Sequence, residues 1–271
     1  MGKQELSVVI ANPSGNKIIF VLTPVPESQY AVISDKLLNI NCFNAEQVCF
    51  IKNIDFHHNI QGSMNMSGLE FCGNASRSFA LFIAKQQGLT GLNNIKISVS
   101  GIREPLDVLV NTSLNRAEVS MPHPKKIKYL KDQKLSYLNS AGLVEFDGIL
   151  HIILNDIPAS EKIFNEIKTY VMKTRNPSVF GVMFYNTKLK HMVPVVYVRD
   201  IDTTYFEGSC ASGTTALCIS LSQKYTDGTY MYRVSQPAGE LIASVEKNKN
   251  KIKRLTVDGK VALSEVQSVI I

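Results

Sequence analysis

The chain has 271 residues, 45% of them hydrophobic and 19% charged, with 29 lysines and arginines against 23 aspartates and glutamates for a net charge of +6. That balance builds a sizeable core and excludes a disordered chain. No apolar run approaches the roughly 20 residues a membrane-spanning helix needs, so no membrane partner is expected.

The start, Met1 to Leu6, lacks the apolar stretch of a secretory signal. Met1–Gly2 is set aside as a myristoylation site because Lys3 to Ser7 run into an apparent strand. A soluble, cytoplasmic protein is expected. Much of the positive excess lies in the lysine run 125–134 and in 246–254. Apart from Tyr129 these runs lack interleaved aromatics, so they read as a solvated linker and a hairpin tip, and no nucleic-acid partner is expected.

Leu6–Ile10 reads as a strand, broken by Asn12-Pro13-Ser14-Gly15-Asn16 and resumed by Ile18–Leu22, with Asn16 as a polar anchor in the loop. Tyr30 to Leu38 has helical spacing, with Ser28 as its cap. Val48–Ile51 is strand-like, and Ile54–His58 with Ser63–Gly68 form a strand and turn feeding the segment around Cys72. A helix follows and ends near Gln87–Gly88. Ile95–Val99, Leu106–Val110 and Ala117–Met121 are strands. Pro122-His123-Pro124 and the lysine run mark a domain boundary, giving lobes 1–121 and 122–271 with the last strand free to pack back on the first lobe. In the second lobe Ile149–Leu154 is a buried strand, because β-branched residues dominate it. Ser160 to Met172 is an amphipathic helix capped by Ser160, and Val179–Tyr185 and Val193–Val198 are strands. A helix opens at Cys210. Thr229–Val234, Gly239–Val245, Lys253–Val257 and Lys260–Leu263 complete the chain as strands. Each half is several strands around one main helix that begins at a cysteine: an internally duplicated α/β architecture.

The two cysteine segments carry the chemistry. Leu69-Glu70-Phe71-Cys72-Gly73-Asn74-Ala75-Ser76-Arg77 is echoed by Phe206-Glu207-Gly208-Ser209-Cys210-Ala211-Ser212-Gly213-Thr214-Thr215. In each, an acidic residue precedes a cysteine, small residues follow, and an apolar stretch at helical spacing begins. A helix start presents unpaired N–H groups, so each turn combines a thiol with an anion-binding nest and favours the thiolate.

Cys42, Cys49 and Cys218 sit among apolar neighbours and read as small buried hydrophobes. Five cysteines without regular spacing do not form a disulfide framework. The redox reading of Cys72 and Cys210 lacks a Cys-x-x-Cys spacing. The metal reading lacks ligands, since His57, His58, His123, His151 and His191 are scattered. A protease-like nucleophile lacks a histidine base in sequence reach. Paired acid–base work suits both turns equally: one thiolate removes an α-proton from one face, and one thiol delivers a proton to the other. The N–H groups of Gly73, Asn74, Ala211 and Ser212 then hold the α-carboxylate and the charge that develops on it.

These residues resemble the two active-site loops of the cofactor-independent amino-acid racemases and epimerases of the diaminopimelate epimerase fold. Pro13–Asn16, Glu46–Gln47, Asn65–Gly68 and Gln236–Glu240 resemble further motifs of that family. A closer similarity is to the histidine racemases that supply D-histidine for opine-type metallophores. They share Asn12–Asn16, Glu46–Gln47, Met66–Ala75 and Glu207–Thr214, with Ala211 in place of the usual glycine.

The resemblance implies two pseudo-symmetric α/β lobes, each a curved, mostly antiparallel sheet around a central helix. It also implies a small amino-acid substrate and no cofactor, neither pyridoxal phosphate nor metal. Cys72 and Cys210 become acid and base. Gly73, Asn74, Ala211 and Ser212 grip the carboxylate, helped by Thr214, and Asn16 and Gln47 serve the α-amino group. Glu46 and Asn65 contact substrate or brace the loops, and Glu207 braces. Arg199–Tyr205 lacks the Glu-Arg pair that grips the distal end of diaminopimelate, and Ile149-Leu150-His151 lacks the asparagine of an Asn-Pro-His element. A substrate with one amino-acid end is therefore expected, histidine first, with diaminopimelate or another amino acid as alternatives. A non-catalytic amino-acid-binding protein of the same fold is the alternative from another class. His151 reads as a satisfied core histidine. A homodimer is compatible with the sequence.

Overall fold

The computed structural model describes residues 3–130, 135–139 and 141–271. Met1–Gly2 and the 131–134 part of the lysine run lie outside the described residues. The chain forms two compact units, Met1–Ser120 together with Asp258–Ile271, and Met121–Val257.

In the first unit β1 (Glu5–Asn12) turns back antiparallel on β2 (Ile18–Val21) through a loop in which Ser14 and Gly15 have φ of 59° and 99°. The Gly15 N–H donates to Asn12 Oδ1 at 2.8 Å, closing that turn. Helix α1 (Tyr30–Leu38) crosses over to β3 (Gln47–Ile54), which runs parallel to β2. Ser28 is not its cap: a 3-10 turn over Glu27–Gln29 leads in, and the helix starts with no side-chain cap. Tyr30 stacks on Phe50 at 3.8 Å between ring centres, and with Val8, Ile19, Ile33, Leu37 and Val48 they form a core cluster. Strand β4 (Gly62–Met66) is antiparallel to β3, so the expected strand at Ile54–His58 is the end of β3 and a turn.

Helix α2 (Gly73–Gln86) follows, then β5 (Leu92–Val99) parallel to β4, β6 (Leu106–Asn111) and β7 (Arg116–Ser120), each antiparallel to the strand before it. Every residue of α2 from Gly73 to Ala84 is buried, and the helix packs against β1, β5, β6 and β7. A helix covered on all sides is a core element. It ends where Gly88 takes a φ of 67°.

In the second unit β8 (Lys126–Tyr129) pairs antiparallel with β9 (Gly142–Glu145), and β9 with β10 (Leu150–Asn155). The first part of the lysine run is thus a strand rather than a linker. Helix α3 (Glu161–Thr174) begins as expected at Ser160, whose Oγ accepts from the Ile163 N–H at 3.2 Å. Its Phe164, Ile167 and Val171 pack with Ile152, Phe180 and Val182 in the core. Then come β11 (Val179–Asn186), parallel to β10, and β12 (His191–Val198), antiparallel to β11. A short β13 (Thr203–Phe206) pairs with β12.

Helix α4 (Ala211–Ser222) leads to β14 (Gly228–Gln236), parallel to β12, and to β15 (Gly239–Asn248), antiparallel to β14. Lys247 Nζ donates to the Ser222 and Tyr225 carbonyls at the end of α4, where a cation is favoured. Lys249 and Asn250 turn the chain with positive φ into β16 (Lys251–Lys260), so the 246–254 run is a turn between strands. The closing strands β17 (Ala262–Leu263) and β18 (Gln267–Ile270) pair antiparallel with β1, so residues 258–271 complete the first unit.

The two units repeat one plan. β1-β2-α1-β3-β4-α2-β5-β6 matches β9-β10-α3-β11-β12-α4-β14-β15, with the same alternation of antiparallel and parallel pairings. This is the expected α/β architecture of two repeated, mostly antiparallel halves, each with one buried helix.

Candidate active site

The duplication extends to the backbone of the two cysteines. Cys72 (φ −129°, ψ 110°) and Cys210 (φ −130°, ψ 112°) are the N-cap residues of α2 and α4. Each sulfur accepts from the N–H three residues on, Ala75 and Gly213, at 3.4 Å. Each cysteine carbonyl accepts a hydroxyl from the residue four on, Ser76 Oγ at 2.8 Å and Thr214 Oγ1 at 2.6 Å. A cysteine thus does at both helix starts what serine or aspartate does at an ordinary N-cap. Gly73 and Asn74 in α2, and Ala211 and Ser212 in α4, are the first two helical residues. First-turn N–H groups lie outside a helix's own N–H to carbonyl ladder.

In the first unit Cys72 is half-buried, and its Sγ donates to Gln47 Oε1 at 3.2 Å. Beside it a chain of amides runs from Asn74 Nδ2 to Asn16 Oδ1 (3.1 Å) and from Asn16 Nδ2 to Glu46 Oε2 (2.6 Å). Cys72, Gln47, Asn74, Asn16 and Glu46 are therefore one linked group, held by α2, β3 and the loop before β2. Asn65 is tied elsewhere, donating to Glu27 Oε1 at 3.0 Å.

In the second unit Cys210 is 6% exposed. Burial and then the neighbouring Glu207 carboxylate push its thiol well above the usual cysteine range. Its N–H donates to Gln236 Oε1 at 2.8 Å, and Gln236 Nε2 donates to Thr214 Oγ1 at 3.0 Å. Gln236, at the end of β14, thereby fixes the helix start from outside. Gly213 is needed here because a Cβ on it would lie 2.2 Å from Met183 Sδ. Ser212 Oγ stands 3.5 Å from Cys210 Sγ and shares a hydrogen bond of 3.0 Å with His151 Nε2. His151 is wholly buried, and desolvation pulls it down to about 3, so the ring is neutral. Its Nδ1 has no hydrogen-bond partner among the described residues. The expected satisfied core histidine is thus half-satisfied, and it supports the Cys210 turn.

The remaining cysteines divide. Cys49 and Cys218 are buried as expected, whereas Cys42 is exposed because it follows the end of α1 on the surface. Arg199 is held by the Asn176 carbonyl, Ser178 and Asp200. Among the described residues no group of three or more His, Cys, Asp or Glu is placed to hold a metal ion. Sequence reasoning missed Arg77, Gln236 and the His151–Ser212 contact. Only Gln236 had a signal, its place in the late motif.

Chemically, each turn offers a sulfur that gives or takes a proton next to N–H groups suited to a carboxylate. Among solved structures, the chain is similar over 98% of its length to a predicted epimerase from Pseudomonas aeruginosa, with a TM-score of 0.68 at 9% identity and 99% of that chain covered. It is similar in fold to a hydroxyproline epimerase from Agrobacterium vitis, with a TM-score of 0.65 at 7% identity, covering 98% of this chain and 93% of that one. The fold is that of the amino-acid racemases and epimerases.

Sequence relatives narrow the class. The chain is 34% identical over 270 residues to a histidine racemase of Fusobacterium nucleatum subsp. nucleatum (strain ATCC 23726), covering 96% of this chain and 95% of that protein. It is 24% identical to a histidine racemase of Staphylococcus aureus (strain Mu50), with 90% of each covered. The family described as "Histidine racemase CntK N-terminal domain" matches residues 5–267. The chain belongs to this histidine racemase family and is an isomerase.

Proposed function

We propose that this chain interconverts L- and D-histidine by a two-base reaction in which Cys72 and Cys210 exchange the roles of thiolate and thiol. One sulfur, as thiolate, takes the α-proton and becomes a thiol. The electron pair moves into the carboxylate, and the other thiol gives its proton to the opposite face of Cα, leaving as thiolate. The reverse reaction starts from the state this leaves behind, so no external proton donor is consumed. The first-turn N–H groups of Gly73, Asn74, Ala211 and Ser212 receive the carboxylate, where the transition state gathers charge. Asn16 and Gln47 serve the α-amino group, with Glu46 orienting Asn16. Glu207 braces the Cys210 turn, its N–H donating to the Pro194 carbonyl at 3.0 Å. No pyridoxal phosphate or metal takes part.

The observation that carries this reading is the repeated cysteine N-cap, with matching backbone angles and hydrogen bonds in two units of one chain. A substrate with one amino-acid end suits Arg199, whose guanidinium is engaged by its own surface neighbours. In this reading the enzyme works in the cytoplasm and supplies D-histidine for an opine-type metallophore.

The test is racemisation of L-histidine in deuterated water, with LL-diaminopimelate as competitor substrate. Deuterium enters only at Cα, and Cys72→Ser and Cys210→Ser each lose at least about a thousandfold in turnover. Wild-type turnover in either variant overturns the two-thiol mechanism, and preferential turnover of diaminopimelate overturns the substrate.

A further inference from the structure

Arg77 is 0% exposed and is among the largest fully buried side chains of the protein. A fully buried cation is unusual and is normally neutralised by a carboxylate. Here the acceptors are different. Nε and Nη2 both donate to Asn74 Oδ1 at 3.2 Å, Nη2 also donates to Ser14 Oγ at 3.2 Å, and Nη1 donates to the Lys260 carbonyl at 3.0 Å. Among the described residues none of its hydrogen-bond acceptors is a carboxylate. The charge therefore acts on its surroundings without being cancelled by contact.

Two consequences follow from that geometry. Because the guanidinium claims Asn74 Oδ1, the amide cannot flip, and its Nδ2 must face Asn16. Asn16 in turn must face Glu46, so a buried cation at one end and a carboxylate at the other set the direction of every amide between them. Second, Arg77 lies five residues after Cys72 on the same buried helix and grips Asn74, two residues after that cysteine, so its charge sits beside the Cys72 turn.

We propose that Arg77 is the positioning residue of the Cys72 half-site: it fixes the Asn74–Asn16–Glu46 chain and supplies the positive charge against which Cys72 ionises. This rests on the two-thiol reading above. The groups around the pair are few. From β3, Gln47 accepts from the Cys72 thiol, and Cys49 is pushed well up by burial, with the charges of Cys72 and Glu70 adding, so it stays neutral. Glu70, in the segment before α2, is raised by burial. From β16 and β7, Asp258 raises the Arg77 guanidinium and Arg116 lowers it, the two being paired with each other. Burial pulls the Arg77 guanidinium down to about 9, which leaves it charged at neutral pH.

The test is the pH dependence of Cys72 alkylation by iodoacetamide, read by peptide mass spectrometry on the intact chain beside histidine turnover. In the wild type the midpoint lies below the ordinary cysteine value of about 8.5. A midpoint at or above that value overturns the proposal without any variant. In Arg77→Met the midpoint rises by about one pH unit or more and turnover falls at least about tenfold. In Arg77→Lys the charge is kept, so the midpoint stays near wild type while turnover falls about tenfold because a lysine cannot hold Asn74 with a fork. A folded Arg77→Met with the wild-type midpoint, or Arg77→Lys with wild-type turnover, overturns it. Should Arg77→Met fail to fold, Arg77→Lys and the wild-type midpoint decide. Alkylation does not depend on turnover, so failure of the two-thiol reading in the cysteine variants is seen separately.

Discussion

His151 Nε2 lies 3.0 Å from Ser212 Oγ, and the same hydroxyl stands 3.5 Å from the Cys210 sulfur. A wholly buried imidazole thus supports the second cysteine through one serine. Its neutrality has a consequence for pH. The folded ring is pulled down to about 3 by desolvation, while in the unfolded chain it takes up a proton near 6.5. Its contribution to stability is complete above pH 6.5 and is lost as pH falls towards 3, at about 1.4 kcal/mol per pH unit across that interval. The His151 ring resonances are expected to stay flat from about pH 5 to 9 in proton NMR, the span in which ordinary histidines titrate. Ser212→Ala leaves Nε2 buried without its partner and is expected to lower stability by about 1–3 kcal/mol in urea titration. A ring titrating near 6.5, or a Ser212→Ala protein as stable as wild type, contradicts this role.

Gly213 and Gly88 separate crowding from backbone strain. A methyl at Gly213 meets Met183 Sδ at 2.2 Å and Cys210 Sγ at 3.3 Å, whereas at Gly88, with φ of 67°, it meets nothing within 4 Å. Gly213→Ala is expected to lose about 1–3 kcal/mol of stability from overpacking, with at least about tenfold in turnover as the sulfur shifts. Gly88→Ala carries only the left-handed backbone penalty of about 1 kcal/mol and keeps its turnover. Thermal unfolding and histidine racemisation rates on the two variants check both statements. Equal turnover in the two contradicts them.

The five thiols differ in access. Cys42 is exposed, Cys72 is half-buried, and Cys49, Cys210 and Cys218 are buried. Burial also pushes Cys49 and Cys218 up, away from the reactive thiolate. A maleimide pulse on the native protein at neutral pH is expected to label Cys42 and Cys72, and to reach Cys49 and Cys218 only after denaturation. Cys42→Ser removes the Cys42 label and leaves turnover unchanged. Native labelling of Cys218 ahead of Cys42 contradicts the fold.

Much of this was legible in the residues. α3 is a single amphipathic face with a serine cap, and its start was readable from Ser160. The end of α2 was readable from Gly88, and both cysteine turns from their small residues. Strand β8 was not readable, because Lys126-Ile127-Lys128-Tyr129 is almost wholly exposed and is held by main-chain pairing to β9, which leaves no side-chain pattern. Strand β13 hid for the same reason, with three of its four residues exposed. Ser28 misled because a short 3-10 turn displaced the helix start. The contacts of Arg77 and the His151–Ser212 contact were missed for a different cause. Their partners, Lys260 and Ser212, are 183 and 61 residues away, and no local period announces a buried polar contact of that kind.

The pairing of β17 and β18 with β1 bears on how the first unit holds together. Residues 121–257 form their unit from one continuous stretch, whereas the first unit needs the distant 258–271 before β1 gains β17 and β18 along one edge. Deleting residues 262–270 is therefore expected to uncover one edge of β1 while leaving the strands of the second unit in place, read as protease cuts confined to the first unit.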